Sequence, residues 1–159
     1  RLTRNEVQVR LTAPEARTQV LGLTVARGQS HVDNSTFIHH EKGHTTSEQL
    51  MKTVLDDSAR AIFAGRLLIE EDAQKSNAKQ ICHNLLASDQ AEADAQPQLE
   101  VRADDVKAAH GATVGQMRKD ELFYLQSRGL SAAEALALLA RAFQNDLISR
   151  LDSKFLRQA

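Results

Sequence analysis

The chain has 159 residues, with 20 Lys and Arg against 21 Asp and Glu and a formal net charge of −1. That balance, with no run of basic residues, argues against binding nucleic-acid phosphates, and no apolar stretch reaches the roughly 18 residues of a membrane span. The single cysteine, Cys82, cannot close an intrachain disulfide, so a reducing, cytoplasmic setting is expected.

Trp is absent and aromatic residues make up 4%, so the core has to be aliphatic and alanine-based. The chain opens on Arg1 in strand-like material without a signal-peptide pattern, which we read as a fragment or processed product of something longer. Glu6–Leu11 alternates polar and apolar residues, the period of a half-buried strand. Pro14 interrupts it, and Thr18–Val25 and His31–Ile38 repeat the pattern. Further runs follow at Gln49–Leu55, Arg60–Ile69, Lys79–Leu86 and Gln98–Val101, with Gly, Asn, Asp and Ser in the gaps. The acidic, alanine-rich Ser88–Ala95 stretch reads as a solvated loop. At His110-Gly111 the chain is expected to turn or approach another surface closely, before a strand-like pair at Thr113-Val114 closed by Gly115. Many short strands at uneven intervals fit a sandwich, a barrel or a stacked solenoid, and no crisp repeat chooses among them.

The remainder is helical. Leu122, Phe123 and Leu125 lie on helical spacing, and Gly129 stands where a helix would stop. Ser131 and Glu134 form a capping-box pattern ahead of a second helix. Its apolar residues Leu136, Leu139, Phe143, Leu147, Leu151 and Phe155 trace one face, as one helix or as two with a break near Asn145. That face packs on the β-domain or docks a partner.

Candidate chemistry is sparse. His39, His40 and His44, with Glu41 among them, could hold zinc or iron, although histidines satisfied within a strand or facing solvent are the plainer reading. Cys82 and His83 are adjacent in a strand and so point to opposite faces, which leaves the thiol buried and inert. Asp56-Asp57 and Asp104-Asp105 are paired acids of the kind that serve turns. There is neither a phosphate-binding loop nor a Gly-x-Ser-x-Gly elbow, and nothing assembles nucleophile, base and oxyanion hole, so the chain is not expected to be an enzyme.

A longer series of landmarks runs through residues 40 to 143: His40-x-Lys42-Gly43, Ser47-x-Gln49-x-x-Lys52-Thr53, Phe63-x-Gly65, Asp72-Ala73-x-Lys75, Asn84-Leu85-Leu86 and Pro97-Gln98-Leu99-Glu100. It culminates in Ala103-Asp104-Asp105-Val106-Lys107, His110-Gly111-Ala112-Thr113-Val114-Gly115 and Phe123-Tyr124-Leu125-x-Ser127-Arg128-Gly129. In these the chain resembles the SufD branch of the SufB/SufD family, which builds iron–sulfur clusters; the segment from Arg1 to Ser30 matches only as generic strands. The resemblance implies a mainly β fold with an α tail. Residues 1–117 would be the final rungs of a right-handed parallel β-helix and residues 118–159 a C-terminal helical domain.

The resemblance further implies a non-catalytic scaffold. It would pair edge to edge with SufB through the last β-helix strands and dock the SufC ATPase through its C-terminal helices, around Phe123, Tyr124, Arg128 and Gly129. The metal and cofactor ligand would be His110, holding a nascent iron–sulfur cluster transiently at the SufB interface. Ala108 stands where family members commonly carry cysteine, so no thiolate is available there. ATP hydrolysis would belong to SufC. In isolation an open β-helix end would have to be capped, dimerise as a homodimer or aggregate. Two other readings are a β-helix carbohydrate-active enzyme using Asp104 and Asp105, and a free-standing metal-binding module using His39, His40 and His44.

Overall fold

Inward-facing residues in this chain recur in step with a pairing partner one turn of the solenoid away, and that periodicity builds the molecule. The computed structural model describes residues 1–151. Among them are eight ten-residue strands: β1 (Leu2–Leu11), β2 (Arg17–Ala26), β3 (His31–His40), β4 (Thr46–Leu55), β5 (Arg60–Ile69), β6 (Asn77–Leu86), β7 (Glu92–Val101) and β8 (Lys107–Gln116). Odd strands pair in parallel in the order β1-β3-β5-β7, and even strands in the order β2-β4-β6-β8. Each rung therefore gives one strand to each sheet. Leu2 pairs with His31, His31 with Arg60 and Arg60 with Glu92, so the first two steps are equal and the third is slightly longer. The result is the parallel β-helix implied by the resemblance, in four turns.

The corners stack as well. Glu15, His44 and Lys75 share a left-handed backbone conformation (φ 63°, 59° and 59°) at equivalent turns of successive rungs. The amide of each donates to a backbone carbonyl of the following rung's turn: Glu15 to Gly43, His44 to Gln74, Lys75 to Asp105. His44 is therefore a corner residue, and its geometry follows from the turn.

Inside, the two ends of each rung are apolar. Ala26, Leu55, Ala59, Ala61 and Ala91 fill one, and Leu67, Ile69, Ala73, Ala78 and Ala103 the other. Full burial of each Leu or Ile contributes about 1.5–3 kcal/mol. The middle is mixed: Asn34, Thr36, Gln49, Gln80 and Asn84 are all buried there beside the apolar cluster of Met51, Phe63 and Cys82. Asn5 donates to Asn34 Oδ1 at 2.9 Å, and Asn34 donates across to Thr24 Oγ1 at 3.0 Å.

Three expectations change. Ser88–Ala95 is a loop only at its start, because β7 begins at Glu92 and its Ala93 and Ala95 lie in register over Ala61 and Phe63. His110-Gly111 makes no turn: both lie within β8, whose ladder to β6 runs unbroken from Lys107 to Gln116. Gly111 makes no unusually close approach either, since a Cβ there would meet Ile81 at an ordinary 3.6 Å.

Two helices follow, α1 (Lys119–Ser127) and α2 (Ala132–Ile148), the second continuous through Asn145. At the end of α1, Leu130 N–H bonds Leu125 O and Gly129 N–H bonds Gln126 O, with Gly129 at φ 96°. This pair of bonds is a Schellman motif, and it uses glycine where other residues would be strained. Ser131 and Glu134 form the reciprocal capping box expected from the sequence. Phe155 lies outside the described residues.

Helix α2 packs on its own β-domain, over β2 and β4. Leu147 is buried, and the ammonium of Lys52, almost fully enclosed, donates to Phe143 O at 2.8 Å, pairs with Asp146 at 2.9 Å and sits 4.6 Å from the Phe143 ring. Arg150 adds a 2.8 Å bond to Glu48. The Lys52 ammonium holds the Asp146 carboxyl below its usual range. Asp146→Ala leaves that buried cation with only a carbonyl and a ring. We expect it to cost about 1–2 kcal/mol, less than a fully buried pair because Asp146 is half exposed. Urea unfolding of Asp146→Ala and of Lys52→Met, which keeps the stem and removes the charge, measures this; Lys52→Met should be the milder change.

Candidate functional site at the last rung

The inward-facing positions of β8 follow from its register. Ala108, His110, Ala112, Val114 and Gln116 pair with Ala78, Gln80, Cys82, Asn84 and Leu86, of which the first four are buried. In-register parallel strands put paired side chains on the same face, so His110 completes a column through Val20, Gln49 and Gln80. Among the described residues β8 is the last strand of its sheet and no further rung covers that column, and His110 is exposed while Gln80 beneath it is fully buried. A histidine on a rigid strand at the open end of a solenoid can offer a neutral nitrogen to a metal shared with a second surface. Ala108, two residues away on the same face, supplies no thiolate.

The tail adjoins this end. No residue of α1 is buried; Phe123 is 72% and Tyr124 57% exposed, and the Arg128 guanidinium lies 5.4 Å from the Tyr124 ring. Two large aromatic side chains and an arginine on one uncovered helical segment have the composition of an interface anchor.

The other candidates are dispersed. His39 faces outward, its Nε2 2.9 Å from Glu70 and its Nδ1 3.2 Å from Glu41. The Arg10 guanidinium beside Glu41, and the His39 and Arg102 contacts to Glu70, keep both carboxyls below their usual range. His40 points inward and is fully buried, with Nδ1 2.7 Å from Thr45 Oγ1 and Nε2 2.8 Å from Ser47 Oγ. His44 is exposed at its corner. The three histidines do not converge, and among the described residues no group of three His, Cys, Asp or Glu side chains is arranged to hold a metal ion. Asp104 and Asp105 stand on the exposed turn between β7 and β8, where Asp105 N–H bonds Gln74 Oε1. Cys82 is enclosed beside Asn84, and burial pushes its thiol pKa up. His83 faces the other way, with Nδ1 2.8 Å from Thr113 Oγ1, and burial and the nearby Lys52 lower its pKa.

Sequence reasoning missed Gln49, Gln80 and the Lys52 anchor as parts of the structure around this site. Their signal is positional: Gln49 and Gln80 stand one rung apart at the same register, legible only once the rung length is known. No helix among the described residues is long and apolar enough to cross a membrane.

The chain is similar to known proteins over most of its length. Residues 1–143 match the family described as the SUF system FeS cluster assembly, SufBD core domain, so the match takes in the segment from Arg1 to Ser30, whose sequence reads only as generic strands. The chain is similar to an iron–sulfur cluster assembly SufBD family protein of Synechocystis sp. (strain PCC 6803), 36% identical over 151 residues, covering 95% of this chain and 33% of that protein. It is also similar to the iron–sulfur cluster assembly protein SufD of Escherichia coli (strain K12), 35% identical over 155 residues, covering 98% and 37%. The chain spans about a third of the length of these curated relatives. With a parallel β-helix, a family match over nine-tenths of its length and relatives that share its sequence, the chain belongs to the SufBD core-domain family of the SUF iron–sulfur cluster assembly system.

Proposed function

We propose that this chain is the C-terminal portion of a non-catalytic, cytoplasmic scaffold subunit that holds a nascent iron–sulfur cluster at an interface with SufB and docks the ATPase SufC. The observation that carries the reading is the placement of His110: exposed, on the last strand of its sheet, in register above the buried Gln80 and Gln49. A partner strand laid along that edge would bring its own ligands to the same imidazole, and a cluster held between two subunits can leave when they part. The unpaired backbone groups of β8 are what such a partner would satisfy. Hydrolysis of ATP belongs in this reading to SufC, with the exposed face of α1 as its seat.

Docking is tested by substitution on α1. None of its side chains is buried, and Arg128 at its C-terminal cap is exposed, so Phe123→Ser with Tyr124→Ser, and separately Arg128→Glu, should leave stability within about 0.5 kcal/mol. Removing aromatic or arginine anchors from an interface centre should weaken SufC binding at least about tenfold. Titration of SufC against wild type and variants measures it. Unchanged affinity would remove α1 from the interface.

A further inference from the structure

Gln80 is fully buried, and its amide nitrogen donates to Gln49 Oε1 at 2.9 Å; Gln49 in turn donates to Thr36 Oγ1 at 2.8 Å. The other end of this relay is open. Gln80 Oε1 is the only buried side-chain polar atom among the described residues without a hydrogen-bond partner, a condition that costs free energy and rarely persists. Gly65 leaves the space that this amide occupies, because a Cβ there would lie 2.5 Å from Gln80 Nε2 and 2.4 Å from the Phe63 ring. With Nε2 committed to the preceding rung, Oε1 is left to the following one. The residue in register there is His110, about 4.8 Å along the ladder, and its exposed imidazole has no hydrogen-bond partner among the described residues.

We infer that Gln80 is the positioning residue of His110: its Oε1 accepts an imidazole N–H, which fixes one neutral tautomer and presents the other ring nitrogen, lone pair free, to a metal ion at the open end of the solenoid. The functional consequence rests on the reading of His110 as an iron ligand; the contact itself does not. Thr36, Gln49 and Gln80 then form a relay that carries the orientation of the polar core out to the ligand.

The test uses the full-length protein labelled with 15N-histidine, free of metal, at pH 8, with the His110 signals identified by their loss in His110→Asn. In wild type the two ring nitrogens of His110 should show the widely separated shifts of a single tautomer. Gln80→Met, similar in shape and lacking the acceptor, should draw the two shifts together, and Gln80→Glu, which keeps an acceptor oxygen, should restore their separation. Identical His110 shifts in wild type and Gln80→Met would overturn the inference. If circular dichroism shows Gln80→Met unfolded, Gly65→Ala, which displaces the amide, replaces it: converging shifts support the contact and unchanged shifts overturn it. In the assembled complex, Gln80→Met should weaken retention of iron by about ten- to a hundredfold. Converging shifts together with full iron retention by His110→Ala would keep the contact and sink the proposed function instead.

Discussion

His110→Ala is expected to leave the chain folded and bound to both partners while the complex loses its iron and acid-labile sulfide. The imidazole lies on the uncovered side of the last strand, so its removal opens no cavity and gives up only the hydrogen bond to Gln80 Oε1 inferred above. Stability should change by about 0.5–1.5 kcal/mol, the worth of one hydrogen bond, whereas truncation of a fully buried residue such as Ile69 to Ala should cost about 2–5 kcal/mol. Co-purification with SufB and SufC, followed by anaerobic iron and sulfide analysis, separates the two kinds of effect. Iron at wild-type level in the His110→Ala complex would remove the histidine from the site.

Acid should destabilise the rung interior through His40. Thr45 Oγ1 donates its hydrogen to Lys42 O at 2.9 Å, so the His40 Nδ1 beside it must be the donor, and His40 Nε2 then accepts from Ser47. Ser76 Oγ, 2.8 Å from Thr45 Oγ1, completes the cluster. Every site around the ring is committed to the neutral form, and burial, with a smaller contribution from His39, lowers its pKa from 6.5 to about 4. Between those values the unfolded chain binds the proton and the folded chain does not. The stabilisation is therefore complete above about pH 6.5, declines as pH falls, and is gone below about pH 4, a loss of about 3 kcal/mol. His83 is shifted in the same direction and contributes in the same window, so the comparison is made in a His83→Gln background. The carboxyls of Glu41, Glu70, Glu100 and Asp146, all held below their usual range, act at lower pH. Urea unfolding at pH 7 and pH 4.5 should show a steep difference that His40→Asn flattens. A slope unchanged by that substitution would show that the His40 cluster is not its source.

What could be read from the sequence divides along physical lines. The alternating strand Glu6–Leu11 announces itself because a half-buried strand needs a period of two, and Arg60–Ile69 does so as a short, largely apolar run. The Ser131–Glu134 cap and Gly129 are equally legible, because local hydrogen bonding dictates both. The rung repeat is not legible, because stacking preserves register and not residue type: the column Val20, Gln49, Gln80, His110 shares neither polarity nor size throughout. Ser88–Ala95 misled for a related reason. Glu92–Ala95 has low strand propensity, yet β5 offers it a ladder and small side chains suit the space over Ala61 and Phe63. Pro97 is tolerated in β7 because that strand is an edge. His110 itself was found through its motif. Its exposure above a buried, unpaired amide belongs to the three-dimensional register alone.

The most direct measurement is pulsed electron paramagnetic resonance on the reduced cluster in the complex with SufB and SufC, with 15N-histidine introduced into this subunit only. A hyperfine coupling from a 15N nucleus of this subunit, lost in His110→Cys, which keeps a ligand for the iron, is the predicted result. A wild-type cluster that shows no coupling to any histidine nitrogen of this subunit would contradict the assignment of His110 as its ligand.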